Sequence, residues 1–595
     1  MTRRAVKVKP GTHPTPDSTA LSAVQYVDTD KVFFRGDKLC KYPGWSSQAT
    51  TFTGAARSIA SFNNGTYNIW LIGTHKRLYA RINGTDTNIT PLLTTTTAIA
   101  NSIDIANGST NMVFNAVGHL QAVGDRVKIA GAANFDVYTA ATHINIEHII
   151  TAVTANTFTV VVAVAANPGA TSAGGAGTTY AKQIAAGDIS QADLIGFGGG
   201  DYDEGDYDEG GVFTTAFAYP RIWSFGRYGD GSVAICPGGN GIIYGWSGST
   251  TVAPVKITNS PTALWISTRN NAIKARGAGS VKNMINISGV GAVTAWTPGP
   301  TTTSYADDWE EAGRMISDAY AGNIGLIFTE NMVIAEEYVD LPKLYRHETI
   351  MRSDGILGPM ARIEIEGQIL WAGNHGFYLF NGEGIEKIKT SVQDYIFASS
   401  DRGGNLNRSQ RYNCFWEYDP ANAQAVFHFP AGVSSEPNEY CILHMPTRTA
   451  TLGTRSLTAA EQIPLESYRL TAYGDNTTHE LYRENSGVEA GSSAMSWHAE
   501  SHWRLMTDGG LSQEIMEIYP DATQTGDITL TMYAKDYARS TDTRTYGPYT
   551  ISPTTERICP QVDGHLVKYR WASTVEGGDY REGSWMEDVQ PGTEP

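Results

Sequence analysis

Asp201-Tyr-Asp-Glu-Gly-Asp-Tyr-Asp-Glu-Gly-Gly211 sets six carboxylates, Asp201, Asp203, Glu204, Asp206, Asp208 and Glu209, within nine residues. Oxygen-rich spacing of this kind suggests a calcium loop. Asp206, however, stands where an EF-hand requires glycine, and Val212 where it requires a bidentate glutamate. Mutual repulsion confines such a tandem to places where water or cations screen it, so an exposed acidic loop is expected. His143, Glu147 and His148 are metal-ligating types. On the strand expected here, alternation sends His143 and His148 to opposite faces, so they are not expected to share a metal. A glycan-cleaving propeller would need paired carboxylates and an arginine cluster on its central channel. Arg57, Arg221, Arg269 and Glu364 are candidates, but the S-x-D-x-G-x-T-W box of sialidases is missing. Gly196-Phe-Gly-Gly-Gly200 runs into Asp201 where a dinucleotide loop needs its third glycine. G-x-x-x-x-G-K-[ST], H-E-x-x-H and G-x-S-x-G are all missing. The reading is of a non-enzyme with no catalytic residues, cofactor or metal.

The elements that would carry these residues are strands. Apolar runs broken by polar turns predict hairpins at Asn68 to Arg81, Ser232 to Trp246, Ile324 to Val339, Gln368 to Asn381 and Leu470 to Arg483. Large anchors at Trp223, Trp265, Phe328, Trp371 and Trp416 are separated by 42, 63, 43 and 45 residues. Three of these separations match the period of about 40 to 50 of a four-stranded propeller blade. One helix is expected over Tyr305 to Asp318, where Trp309, Ala312, Met315 and Ile316 approach a 3.6 period behind an acidic first turn. The stretch 94–195 is nearly free of Trp and rich in Ala, Thr, Val and Asn. It reads as a separate β-module with strands near Arg126 to Ile129, Ile146 to Val153 and Thr157 to Ala163, inserted into a propeller loop as a distal tip or docking arm. The expected division is an N-terminal arm with the first propeller strands (1–93), the module (94–195), the main propeller (196–485) and a C-terminal β-rich platform with an acidic tail (486–595). The fold class is all-β: a β-propeller core with an inserted small β-module and a C-terminal β-rich region.

At 595 residues the chain exceeds the roughly 250 to 300 at which a single core stops growing. Lys plus Arg is 44 and Asp plus Glu is 61, a net charge of −17, which argues against a sequence-independent grip on nucleic acid. No run reaches the roughly 18 apolar residues of a membrane span, and the basic stretch Met1 to Pro10 is followed by Gly11, His13, Pro14 and Asp17 where a signal peptide would need an apolar run. Membrane insertion is not expected. Cys40, Cys236, Cys414, Cys441 and Cys559 never form C-x-x-C and read as buried small residues of a protein made in a reducing cytoplasm.

Lys41-Tyr-Pro-Gly-Trp45, Gly54-Ala-Ala-Arg57, Trp70-Leu-Ile-Gly-Thr74 and Leu78-Tyr79 resemble the N-terminal part of tail nozzle proteins of short-tailed double-stranded DNA phages. Arg221-Ile-Trp-Ser-Phe225, Trp296-Thr-Pro298, Asp354-Gly-Ile-Leu-Gly-Pro359, Phe377-Tyr-Leu-Phe-Asn-Gly382, Tyr519-Pro-Asp521 and Gly547-Pro-Tyr549 continue the likeness in order. Gly118 to Arg126 resembles a small β-module common in phage structural proteins. The DYDEG tandem is more acidic than the family's Gly/Tyr repeat, and the family's Arg/Gly ending is replaced by Glu587 to Pro595. The resemblance implies a structural virion protein, made in the host cytoplasm and built into the phage tail as a homo-hexameric ring. Its partners would be the tail adaptor on the portal side and the tail fibre proteins, with double-stranded DNA passing through without specific binding. Asp201 to Glu209 would then face the channel. The competing reading is a glycan-binding or glycan-cleaving β-propeller.

Overall fold

The computed structural model describes residues 2–14, 25–93, 98–191, 219–229, 231–339, 344–352, 354–461, 468–506 and 512–592. The five hairpins expected from the apolar runs all form as antiparallel pairs. Six four-stranded sheets follow one another at 56–88, 224–256, 265–308, 315–352, 362–388 and 415–454. A seventh joins the strands of 459–484 to Trp45–Gln48, which pairs antiparallel with His479–Glu484.

First strands of successive sheets pack side by side around a closed circuit. It runs from Ala56–Asn63 through Ser224–Tyr228, Trp265–Arg269, Met315–Ala321, Arg362–Ile365 and Phe415–Asp419 to Ala459–Ala460. A parallel bridge between Ile59 and Glu461 returns the circuit to its start. This is a seven-bladed β-propeller, numbered here from the 56–88 sheet, and the early strand Trp45–Gln48 fastens its last blade.

Apolar side chains fill the wedges between blades. Trp223, Trp265, Trp371 and Trp416 lie in blades two, three, five and six and are all buried. Trp265 and Trp416 sit on first strands but Phe328 and Trp371 on second strands, which is why the anchor spacing departs from one period. Close approach needs glycine. A Cβ on Gly73 would meet Trp223 Cδ1 at 2.4 Å, and the indole Nε1 of Trp223 donates to Thr74 O at 2.8 Å.

The chain leaves blade one after Asn88 and builds a seven-stranded sheet over residues 103–182 before blade two. Its core is its own: Ile103, Met112, Val127, Val160 and Tyr180 surround a stacked Phe114–Phe158 pair with centroids 5.1 Å apart. Two backbone bonds close its neck, Leu93 N to Lys182 O at 2.7 Å and Ile184 N to Pro91 O at 3.1 Å.

Apart from a two-stranded sheet of Gly241–Ile242 with Thr262–Ala263, the remaining sheets form a platform from both ends of the chain. Thr2–Val6 pairs with Trp585–Pro591, Gln25–Asp30 with Trp497–Ser501, and Lys38–Lys41 meets Asp579–Glu582 at Cys40 and Arg581. Trp497, Trp571, Trp585 and Tyr569 are buried in its core. The expected N-terminal arm is therefore corrected: the strands of 2–12 and 25–41 belong to the platform, because strand pairing here spans most of the sequence and no local pattern encodes its partner.

Two further expectations change. Tyr305 to Asp318 is not a helix but a strand Tyr305–Asp308, a 3-10 turn Glu310–Ala312 and a strand Met315–Ala321. That last strand is buried along its whole length, so it shows no alternation, and its apolar residues imitate a helical period. Cys559 is exposed, whereas the other four cysteines are buried.

Candidate functional site

The centre of the propeller holds a cavity of about 270 Å³ lined by the first strands of blades one to five. A Cβ on Gly226 would meet Thr268 Cγ2 at 2.4 Å, so glycine lets the second and third of these strands approach. Arg227, Arg269, Arg362, Asp318 and Glu364 are the charged residues on the wall, with Phe62, Phe225 and Trp265 among its aromatic ones.

Behind the wall, blades three and four are joined by ionic contacts. Arg276 donates from Nε to Asp318 Oδ2 at 2.8 Å and forks onto Glu336 at 2.8 and 3.0 Å, while Lys274 Nζ reaches Glu336 Oε1 at 2.5 Å. His347 Nε2 lies 3.0 Å from the same carboxylate, and its Nδ1 faces Asp307 at 3.6 Å. Burial alone would raise the Glu336 carboxyl, but Arg276 and Lys274 more than reverse this and hold it well below the usual range. Burial would lower His347, and Asp307 and Glu336 instead raise it.

Asp318 is fully engaged. It accepts from Trp265 Nε1 at 3.1 Å, Ser267 Oγ at 2.7 Å, Arg276 Nε at 2.8 Å and Tyr320 Oη at 3.2 Å. Glu364 accepts the Tyr320 backbone N–H at 2.8 Å. A carboxylate whose oxygens already accept from four donors has little room left to bond a substrate.

Of the four channel candidates, the structure brings Arg269 and Glu364 into this cavity and places Arg57 and Arg221 elsewhere. Arg57 is buried and forks onto Glu436 at 2.5 and 2.6 Å. Arg221 donates to Ala185 O at 2.6 Å and lies over the Trp223 ring. The acidic tandem Asp201, Asp203, Glu204, Asp206, Asp208 and Glu209 lies outside the described residues.

His143 sits on a π-helical turn, Ala140–Ile144, rather than on the strand expected for it, because that strand begins only at Glu147. His148 Nε2 bonds Ile144 O at 3.0 Å, and Glu147 pairs with Arg126 at 2.7 Å. Among the described residues, no group of three or more His, Cys, Asp or Glu could hold a metal ion, and no helix is long and apolar enough to cross a membrane.

The ionic seam has almost no trace in the sequence. Its one sequence signal is Lys274 and Arg276, two apart in the apolar strand AIKAR and so on one face; their acids lie 42 to 62 positions downstream.

No protein-family model matches the chain, and no curated protein does. Among solved structures, it is similar to PorZ, a surface component of the type-IX secretion system of Porphyromonas gingivalis, with 10% identity over 90% of this chain and 82% of that one and a TM-score of 0.31. The phage phi92 endosialidase gives 10% identity over 81% and 68%, with a TM-score of 0.19. An exo-β-1,3-galactanase of Phanerochaete chrysosporium gives 8% over 56% and 97%, with a TM-score of 0.20. At these scores the likeness carries no weight for function.

Proposed function

We propose that the chain is a structural, non-enzymatic virion protein, the tail nozzle of a short-tailed double-stranded DNA phage. The observation that supports the non-enzymatic part is the engagement of Asp318. Asp318 and Glu364 are the only carboxylates lining the central cavity among the described residues, and four donors already hold Asp318. Glycoside cleavage needs two carboxyl groups free to act on opposite sides of the scissile bond.

The nozzle part rests on the ordered motifs from Lys41 to Tyr549. The architecture suits such a role. A propeller stitched by ion pairs and clamped to a platform of both chain ends offers rigid faces to neighbours, and the module of 103–182 offers a separate one. In this reading six copies form a ring below the tail adaptor, fibres dock on its periphery, and the net charge of −17 keeps passing DNA from adhering.

Light scattering on a size-exclusion peak, followed by negative-stain imaging of the protein mixed with phage tails, tests this. A six-membered ring seated at the tail end is the expected result. A monomer that ignores tails and hydrolyses glycans overturns it.

A further inference from the structure

The central cavity contains an arginine side chain with no hydrogen-bonded anion among the described residues. Arg362 opens the first strand of blade five, and its guanidinium lies 5.3 Å from the centroid of the Trp265 ring. Among the described residues it makes no hydrogen bond or ion pair, and its Nε is withdrawn from water. The buried arginines elsewhere in the propeller are matched: Arg276 with Asp318 and Glu336, Arg455 with Glu484, Arg469 with Glu417. Arg362 is half-buried, and burial pushes it below its ordinary pKa, although Glu364 and Asp318 oppose the fall from a distance without bonding it.

Arg269 and Arg227, both exposed, line the same space from blades three and two. Three arginines from three blades thus line one cavity of a protein whose net charge is −17, Arg269 donating to Gly322 O and Arg362 lying beside Trp265. Glu364, two residues from Arg362 and on the same strand face, adds a carboxylate to the wall, with one oxygen accepting the Tyr320 N–H and the other open. Phe62, Phe225 and Trp265 supply apolar faces.

We propose that this cavity binds a carboxylate-bearing sugar residue. The carboxylate is taken by the planar forks of Arg362 and Arg269, which match its two oxygens. Glu364 and Ser267 accept from or donate to ring hydroxyls, and an aromatic wall covers the apolar ring face. Glu364 also discriminates: a carboxylate acceptor welcomes hydroxyl donors and repels a phosphate dianion. The cavity volume of about 270 Å³ lies just under the roughly 300 Å³ at the low end of ligand pockets, which limits the occupant to one ring. This is a binding site and not a catalytic one, and it does not depend on the nozzle reading, which ring imaging tests separately.

Calorimetric titration of the full chain at low salt with glucuronate, glucose and inorganic phosphate tests the proposal. Saturable glucuronate binding is expected, with glucose and phosphate at least about tenfold weaker. Arg362→Gln should lose about tenfold or more, and Arg362→Lys should not restore it, because an ammonium cannot fork. Arg269→Gln alters an exposed side chain and should weaken binding several-fold, so the site stays testable even where an Arg362 variant fails to fold. The proposal is overturned if wild-type protein shows no saturable glucuronate binding, if Arg269→Gln or a folded Arg362→Gln binds as wild type does, or if phosphate binds as tightly as glucuronate.

Discussion

Arg276 of blade three and Glu336 of blade four form a two-pronged ion pair, at 2.8 and 3.0 Å, with both side chains shut off from solvent. Lys274 leans on the same carboxylate, so one glutamate neutralises two buried cations. Removing it strands Lys274 and leaves Arg276 with Asp318 alone. Glu336→Ala is expected to cost about 3 to 5 kcal/mol, the scale for breaking a buried pair by deleting one partner. Glu348→Ala, at an exposed pair with Arg346, should cost less than about 1 kcal/mol. Urea unfolding of the two variants decides the matter, and equal losses would show that the seam carries no special share of stability.

The same seam should respond to acid. The carboxyl of Glu336 is held below its ordinary value, so its contribution is present above the usual carboxylate range and is lost as pH falls through the folded value. Glu336→Gln should therefore flatten the acid limb of the stability curve relative to wild type. Thermal melts between pH 7 and pH 3 measure the slope, and parallel curves would contradict the assignment.

Trp371 is completely buried, stacked on Tyr378 with centroids 5.4 Å apart and tilted against Phe328 of blade four at 5.3 Å. Truncation to Ala empties a wedge between two blades and should cost about 3 to 5 kcal/mol. An unchanged melting transition would place the ring's stability outside the blade wedges.

What the sequence made legible follows from distance along the chain. Hairpins such as Gln368 to Asn381 announce themselves because both strands and their turn lie within a few residues. Trp223, Trp265 and Trp416 mark blades because each recurs near the start of one. The pairing of Thr2–Val6 with Trp585–Pro591 has no local trace, since alternation states which face is buried but not against what. The cavity was half legible. Arg269 and Glu364 were chosen as residue types and the fold unites them, whereas Arg57 and Arg221, chosen on the same grounds, are consumed by Glu436 and by a backbone carbonyl. Arg362, whose guanidinium has no hydrogen-bonded anion among the described residues, has the sequence pattern of any other strand arginine.

The inserted module should be removable. Its neck is two strands wide, closed by the Leu93 to Lys182 and Ile184 to Pro91 bonds, so a short Gly-Ser link across it spans ends already in contact. Its core shares no residue with the blade cores, and loop-closure entropy changes slowly with length. The deletion forfeits Arg77–Asp125, a pair at 2.8 Å, and the bonds of Arg126 to Asn88 O and of Glu147 to the Ala253 N–H. A soluble propeller with a modestly lower melting temperature is expected. Irreversible aggregation of the deletion would show instead that the module props blades one and two.

In the platform, Tyr26 Oη donates to Glu582 Oε2 at 2.6 Å, joining an N-terminal strand to one near the other end of the chain. Burial pushes the Glu582 carboxyl from 4.5 up to about 7, with the Tyr26 hydrogen bond opposing the rise. A raised carboxyl favours the protonated folded form. Its stabilising contribution is therefore full below about pH 4.5 and is lost as pH rises through about 7. At 1.36 kcal/mol per unit, the shift is on the order of 3 kcal/mol between those limits. Glu582→Gln keeps the size of the side chain and an acceptor for Tyr26 but removes the titration. The variant should melt above wild type at pH 8.5, with the gap closing by pH 5. Comparing the two proteins at each pH cancels every other titrating group, so the difference reports Glu582 alone. A gap that stays constant across the range would mean that this carboxyl ionises as freely in the folded platform as in the unfolded chain.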